Sequence, residues 1–301
     1  MTTMLQLVQQ ATGEMGLAVP TSVAGNNAQD QIQQLALLNA VGHELQRQYD
    51  WEALCVEYQF NTAFTATTGN TTDDSAVVTG IPSTTGLSAR YMVVGTGINT
   101  NTMVLTVDSA TQVTLNQPAT ATGTGVTLNF CKTQYSNPSD WDRPINRTQW
   151  DKTKHWEMIG PETPQQWQWL KSGFIATGPR VRFRPLGGYF QTWPPITSAE
   201  FLGMEYVSKN WARDTGGTAK AAFTVDTDTC IYPDRLMVLG LKLKYFEVKG
   251  FDTSAFRHSY EMELNISKGS DSGAPTLSYA PRPSDALIGI ANVPDSGYGS
   301  T

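Results

Sequence analysis

Residues 28–49 read AQDQIQQLALLNAVGHELQRQY. Leu35, Leu38, Gly42, Leu45 and Tyr49 recur at intervals of 3, 4, 3 and 4, which puts them on one face of an α-helix. The spacing predicts a long helix from about Ala28 to Tyr49. Upstream, Met4, Leu5, Leu7 and Val8 open a short helix that Gly13 or Gly16 ends, and a loop at 20–27 joins the two. Downstream, residues 54–64 (LCVEYQFNTAF) alternate as a strand, so the pattern changes from period 3.6 to period 2. Helices followed by strands point to an α+β chain.

Residues 65–130 have a different character. Thr, Gly, Asn and Val dominate, and charged residues almost vanish. Short β-type runs at 76–78, 90–94, 103–107, 112–115 and 126–130 are separated by Gly and Pro. Their spacing predicts a small antiparallel sandwich inserted between two strands of the main domain. Trp141, Trp150, Trp156, Trp167 and Trp169 crowd the next stretch, where 164–171 (PQQWQWLK) reads as a short helix. Runs at 180–184, 189–193 and 201–209 read as sheet.

Pro233 suits the first turn of a further helix. Leu236, Leu239, Leu243 and Phe246 form one of its faces and Leu241, Tyr245 and Val248 another. Only a Lys242, Glu247 and Lys249 stripe is left for water, and Gly250 ends it. Asp252 or Thr253 caps the last helix, with Phe256, Tyr260 and Leu264 in register and Gly269 as its stop. Residues 269–301 are rich in Pro, Ser and Gly, yet they carry Leu277, Tyr279, Leu287, Ile288 and Ile290. A solvating tail holds few such residues, so this segment reads as an arm that orders by docking on a partner. The expected organisation is a core of 1–64 and 131–268, an inserted β domain at 65–130 and a C-terminal docking arm at 269–301.

The chain has 301 residues, 40% of them hydrophobic, which is enough for a well-buried core. Charged residues are 16%, and the net charge is −6. A protein that grips nucleic acid shows a basic balance, so this chain is a poor DNA binder and suits a surface that DNA slides past. Cys55, Cys131 and Cys230 are odd in number and widely spaced, which predicts free thiols. No signal peptide and no run of spanning length are read, so no membrane association is expected and the site of synthesis is a cytoplasm.

No P-loop, GxGxxG, HExxH or GxSxG occurs, so neither a cofactor nor catalytic residues are expected. His43, His155 and His258 are scattered with no neighbouring ligand, and no metal site is expected. Asp226 and Asp228 alternate as if on one face of an extended segment. A cation there needs several more oxygens than they supply. Arg180, Arg182 and Arg184 alternate on a strand and are candidate intersubunit or lumen charges, with a solvated face as the plainer reading. Trp167 and Trp169 point to different sides of a helix and cannot make one flat sugar platform. Packing, in the core or between subunits, is the expected role of Tyr49, Trp51, Trp150, Trp156, Trp167, Trp169 and Trp211.

Several motifs taken together resemble a known family. They are Tyr49-Asp50-Trp51-Glu52-Ala53-Leu54; Trp150-Asp151 through Trp156; Ile159-Gly160-Pro161; and Gln165 to Leu170 before Lys171-Ser172-Gly173. Glu205 to Trp211 and Asp226-Thr227-Asp228-Thr229, leading into Pro233, Leu236 and Gly240-Leu241-Lys242, complete the set. Their order and spacing resemble the head-to-tail adaptor proteins of short-tailed bacteriophages, relatives of the tail tubular protein A group, over about 1–65 and 131–268. The segment 65–130, with Gly80-Ile81-Pro82 and Gly95-Thr96-Gly97-Ile98, looks like an immunoglobulin-like addition and departs from the shortest members.

The resemblance implies a helix-bundle core with a β part and a homo-oligomeric ring of twelve copies. It implies that the ring joins the portal protein to the tail nozzle or tail tube in the virion neck and passes double-stranded DNA through its bore. The arm, through Leu277, Tyr279, Leu287, Ile288 and Ile290, would dock on the portal, with assembly in the host cytoplasm. Two other readings stand beside it. In one, the β insertion contacts host surface glycans; in the other, an Asp/Glu pair hydrolyses cell wall.

Overall fold

The computed structural model describes residues 2–172, 178 and 180–271. Among them the chain is mixed α/β, with five α-helices and several small antiparallel sheets. The helices are α1 (Met4–Glu14), α2 (Gln29–Gln48), α3 (Pro164–Lys171), α4 (Asp234–Lys249) and α5 (Ser254–Asp271). Two compact units divide the described chain. One holds 2–56, Ser139–Pro144 and 206–271; the other holds 57–138, 145–172, 178 and 180–205.

The first unit is organised by α4, which α1, α2 and α5 contact. Every residue of α4 from 236 to 243 is buried, as befits a helix that is apolar all round. Gly240 lets α2 come close, since a Cβ there would fall 2.5 Å from Val41 Cγ1. Gly42, on the predicted apolar face of α2, has a sharper reason. A Cβ on it would collide with the six-membered ring of Trp211, which is wholly buried. Tyr232 stacks on Trp211 with centroids 5.9 Å apart, and Phe223 meets it edge-on at 4.9 Å. Trp51 packs edge-on against Tyr232 at 5.4 Å and donates its indole N–H to Leu45 O at 2.8 Å. The Tyr232 hydroxyl donates to Gly42 O at 3.3 Å. The 49–51 motif and Trp211 thus belong to one aromatic centre.

The ends of these helices are tied by side chains. Arg143 donates to Gln46 O and Tyr49 O at the C-terminus of α2, both at 3.2 Å, and pairs with Asp50 at 2.6 Å. A cation there satisfies orphan carbonyls and faces the negative end of the helix dipole. α1 begins with a reciprocal cap between Thr3 and Gln6, and its first N–H groups donate to Asp228 O and Asp226 O. The carboxylates of Asp226 and Asp228 hold backbone. Asp226 accepts from Val23 N and Ala24 N, and Asp228 from Thr224 N, Val225 N and Lys220 Nζ. They sit in a turn rather than along one face of an extended segment.

Three expectations for α4 and α5 need correction. Lys242 is buried rather than wet, because its ammonium lies 2.8 Å from Glu14 Oε2 and over the Phe256 ring. Val248 is 57% exposed rather than packed. Gly269 does not stop α5, which runs to Asp271. There the Asp271 carboxylate accepts from Glu52 N at 2.9 Å, and a glycine in helical conformation gives no reason to stop.

Strands Cys55–Asn61, which enters the second unit at 57, Phe201–Ser208, Trp150–Asp151 and Trp156–Glu157 lie in that order in one sheet. The residues of Phe201–Ser208 after 205 belong to the first unit, where they pair with Trp141–Pro144. Strands Arg182–Leu186, Tyr189–Trp193 and Gln134–Ser136 form a second sheet.

Between 64 and 131 there are two three-stranded sheets. One orders Phe64–Thr71, Gly123–Cys131 and Met92–Gly95; the other orders Val77–Val78, Gln112–Leu115 and Val104–Ser109. Val78, Ile81, Val93, Val113, Leu128 and Phe130 belong to one buried cluster that both sheets feed. The strand Phe64–Thr71 is an addition to the sequence reading. It pairs along most of its length with Gly123–Cys131, yet Thr, Gly and Thr at 67, 69 and 71 hide its alternation.

Gly42 and Gly13 give a test with opposite signs. Both lie in helices, where alanine is favoured by up to about 1 kcal/mol, but nothing lies within 4 Å of a Cβ at Gly13. Gly13→Ala is expected to stabilise the protein in urea titration. Gly42→Ala is expected to destabilise it by about 1–3 kcal/mol through overpacking against Trp211.

Candidate functional site

α5 is 18 residues long, and only Tyr260 and Ser267 among them are buried. Tyr260 reaches toward Gly240, while Phe256 stacks on Phe246 at 4.6 Å and so holds the start of the helix. Lys244 pairs with Glu44 at 2.7 Å, and Glu247 pairs with Arg257 at 2.9 Å, across a cleft of about 290 Å³ lined by α2, α4 and α5. These half-exposed pairs orient more than they stabilise. Met262 and Ile266, one turn apart on the outer face, are 53% and 60% exposed, and Val248 and Phe251 are exposed in the same unit. An uncovered apolar face of this kind is the surface most suited to a protein partner.

The residues singled out from sequence do not gather at one place. Trp51 and Trp211 are core, with Tyr49 half-buried beside Trp51 at 5.2 Å. Trp150 and Trp156 are half-buried on neighbouring strands, and Trp156 keeps a buried indole N–H without an acceptor. Trp167 is buried with Met92, Leu170 and Trp193, whereas Trp169 is open to solvent two residues on. Arg182 bonds Glu162, a buried carboxylate, and stands apart from Arg180, which precedes the strand. Arg184 lies close enough to Lys171 to lower its pKa, with burial as the larger cause. Leu277, Tyr279, Leu287, Ile288 and Ile290 lie outside the described residues.

Two features escaped the sequence reading. One is the Arg143 clamp, whose partners Gln46, Tyr49 and Asp50 are 93 to 97 residues away in the chain. The other is the reciprocal cap of α3 between Thr163 and Gln166, which the T-x-x-Q spacing does encode.

Burial makes the thiols poor nucleophiles, pushing Cys131 up to about 11 and Cys230 up to about 12. Among the described residues no three His, Cys, Asp or Glu side chains converge as a metal site, and no helix is long and apolar enough to cross a membrane. The second unit holds a buried carboxyl pair. Asp151 and Glu200 are 3% and 2% exposed and lie within hydrogen-bonding reach of each other. Thr153 N and Lys154 N donate to Asp151 Oδ1, while Ser198 and the Lys154 ammonium donate to Glu200 Oε1. Glu200 Oε2 is left without a donor. Burial first, then the Glu200 charge, raises the Asp151 pKa.

No protein-family model matches the chain, and no curated protein matches it.

Because the folded Asp151 holds its proton more tightly than the unfolded one, its contribution to stability is complete below the ordinary aspartate value of about 3.9. That contribution is lost as pH rises through the raised folded value. Asp151→Asn supplies Glu200 Oε2 with a permanent donor. The variant is expected to flatten this limb and to melt higher than the wild type at pH 8, measured by thermal denaturation across pH. A variant with an unchanged pH profile would contradict the raised Asp151 pKa.

Proposed function

We propose that the chain is a structural head-to-tail adaptor of a short-tailed phage, not an enzyme. In this reading it forms a ring of twelve copies in the virion neck that joins portal to tail nozzle or tube and lets double-stranded DNA pass. One observation carries the reading. α5 is anchored at both ends yet leaves Met262 and Ile266 uncovered between them, as expected of a helix whose outer face a neighbouring copy covers. Burying the part of two such side chains that is still exposed is worth about 1–2 kcal/mol each, enough to matter when repeated around a ring.

Other observations agree with it. α4 with α1, α2 and α5 around it suits a helix-bundle core. Two three-stranded sheets around one apolar cluster suit an immunoglobulin-like insertion at 65–130. Aromatic residues of the motifs that resemble the adaptor family, Trp51 and Trp211, fall in the packing centre of the first unit. The net charge of −6 suits a conduit that does not hold DNA. In the proposed neck, the segment after α5 is the arm, with its apolar residues against the portal.

Met262→Asp with Ile266→Asp is expected to leave the circular dichroism spectrum intact while abolishing ring formation in native mass spectrometry. Truncation after Asp271 tests the arm separately. The shortened protein should melt as the full chain does and no longer co-sediment with a ring of the same phage's portal protein. Failure of the full-length chain to co-sediment would overturn the adaptor reading itself.

A further inference from the structure

We propose that the second unit carries a binding cleft for an acidic saccharide, built where the turn at 88–91 faces the strands Gln134–Ser136 and Tyr189–Trp193. This inference does not rest on the adaptor reading. The cleft measures about 550 Å³ and is lined by Ser88, Arg90, Lys132, Gln134, Ser136 and Tyr189 among others, with no carboxylate. On a chain of net charge −6, a recess with two cations and no acid is selective for an anion.

The backbone beneath the two cations is pinned. Arg90 N–H donates to Val104 O, and Val104 N–H donates to Tyr91 O, both at 2.8 Å. These bonds hold Arg90 at φ +71°, a left-handed conformation that an arginine adopts at a cost and that Gly or Asn would take more easily. Lys132 N–H donates to Ala63 O at 2.8 Å, and its carbonyl accepts from the buried Tyr135 hydroxyl at 2.8 Å. The Lys132 ammonium lies 5.3 Å from the Tyr135 ring. Neither Arg90 nor Lys132 is ion-paired to a described residue. The strand pairing sets Met92 opposite Cys131, which brings Arg90, two residues before Met92, and Lys132, just after Cys131, to the same end of the ladder.

The remaining wall is neutral and rich in hydrogen-bonding groups. Tyr189 lies directly across from Ser136, and Gln134 follows on the same face because side chains alternate along a strand. Tyr189 is 38% exposed, while the intervening Tyr135 is buried. A guanidinium fork reads a carboxylate in two parallel bonds, and the Lys132 ammonium adds a point charge. The Ser, Gln and Tyr groups then meet ring hydroxyls, and the volume lies within the range of small-ligand sites. Nucleic acid is the poorer match, since backbone tracking needs a row of cations and only two are present. Carboxylated sugar is the ligand class that uses both halves of the cleft.

The test uses the full chain, isothermal titration and backbone amide NMR, with trigalacturonic acid, neutral galactotriose and a single-stranded oligonucleotide as probes. Trigalacturonic acid is expected to shift amides of 88–91 and 132–136 and to bind about tenfold more tightly than the neutral sugar. Arg90→Asn, which suits the left-handed backbone, and Lys132→Gln should each weaken binding about tenfold while leaving the melting temperature within a few degrees. Absent shifts at these amides, equal binding of the neutral sugar, tighter binding of the oligonucleotide at the same amides, or unchanged affinity in both variants would each overturn the proposal.

Discussion

The Trp211 ring lies over the backbone of α2 at the one position, Gly42, where no side chain stands in the way. Around that contact the first unit takes its form. Tyr232 and Phe223 complete the walls of the Trp211 site, and Trp51 extends it to the end of α2. Gly240 repeats the device on α4, where Val41 and Tyr260 close on the bare Cα. Helix separations set by missing Cβ atoms are short and unforgiving, because close-packed interiors do not yield to an added methyl. The result is a close-packed helical unit whose outer helix, α5, is fastened at Phe256, Tyr260, Ser267 and Asp271 and leaves Met262 and Ile266 exposed between them.

In the proposed adaptor, the close-packed centre and the exposed Met262 and Ile266 would serve a subunit completed by its neighbour. A ring made of repeated copies needs subunits that do not deform and faces that are incomplete without a neighbour. The second unit contributes differently. Its strands hold one buried carboxyl pair, and its insertion packs through Met92 onto Trp167 and Trp193, so the β segment between 64 and 131 is joined to the rest of that unit by more than its two chain ends.

Much of the helical architecture was legible in the sequence because α2 and α4 follow their periodicity closely. The 3-4-3-4 pattern even marked Gly42 as a contact position, although the reason for a glycine appeared only with Trp211 in place. Lys242 was misread because a long side chain can bury its stem and still reach Glu14 from the opposite helix. The Phe64–Thr71 strand was missed because its inward residues are Thr and Gly, whose polarity and size carry no hydrophobic signal. Asp226 and Asp228 looked like a possible cation pair, and only the fold shows that backbone N–H groups from 23–24 and 224–225 occupy them. The Asp151–Glu200 pair and the Arg90–Lys132 cleft join residues 49 and 42 positions apart, so no local pattern could bring them together.

The most direct test of the adaptor account is the mass of the purified protein in solution, alone and after mixing with a ring of the same phage's portal protein. The account expects the 32.9 kDa chain to enter a discrete multimer of fixed stoichiometry on the portal. A chain that keeps its single-copy mass and passes the portal ring without association would contradict it.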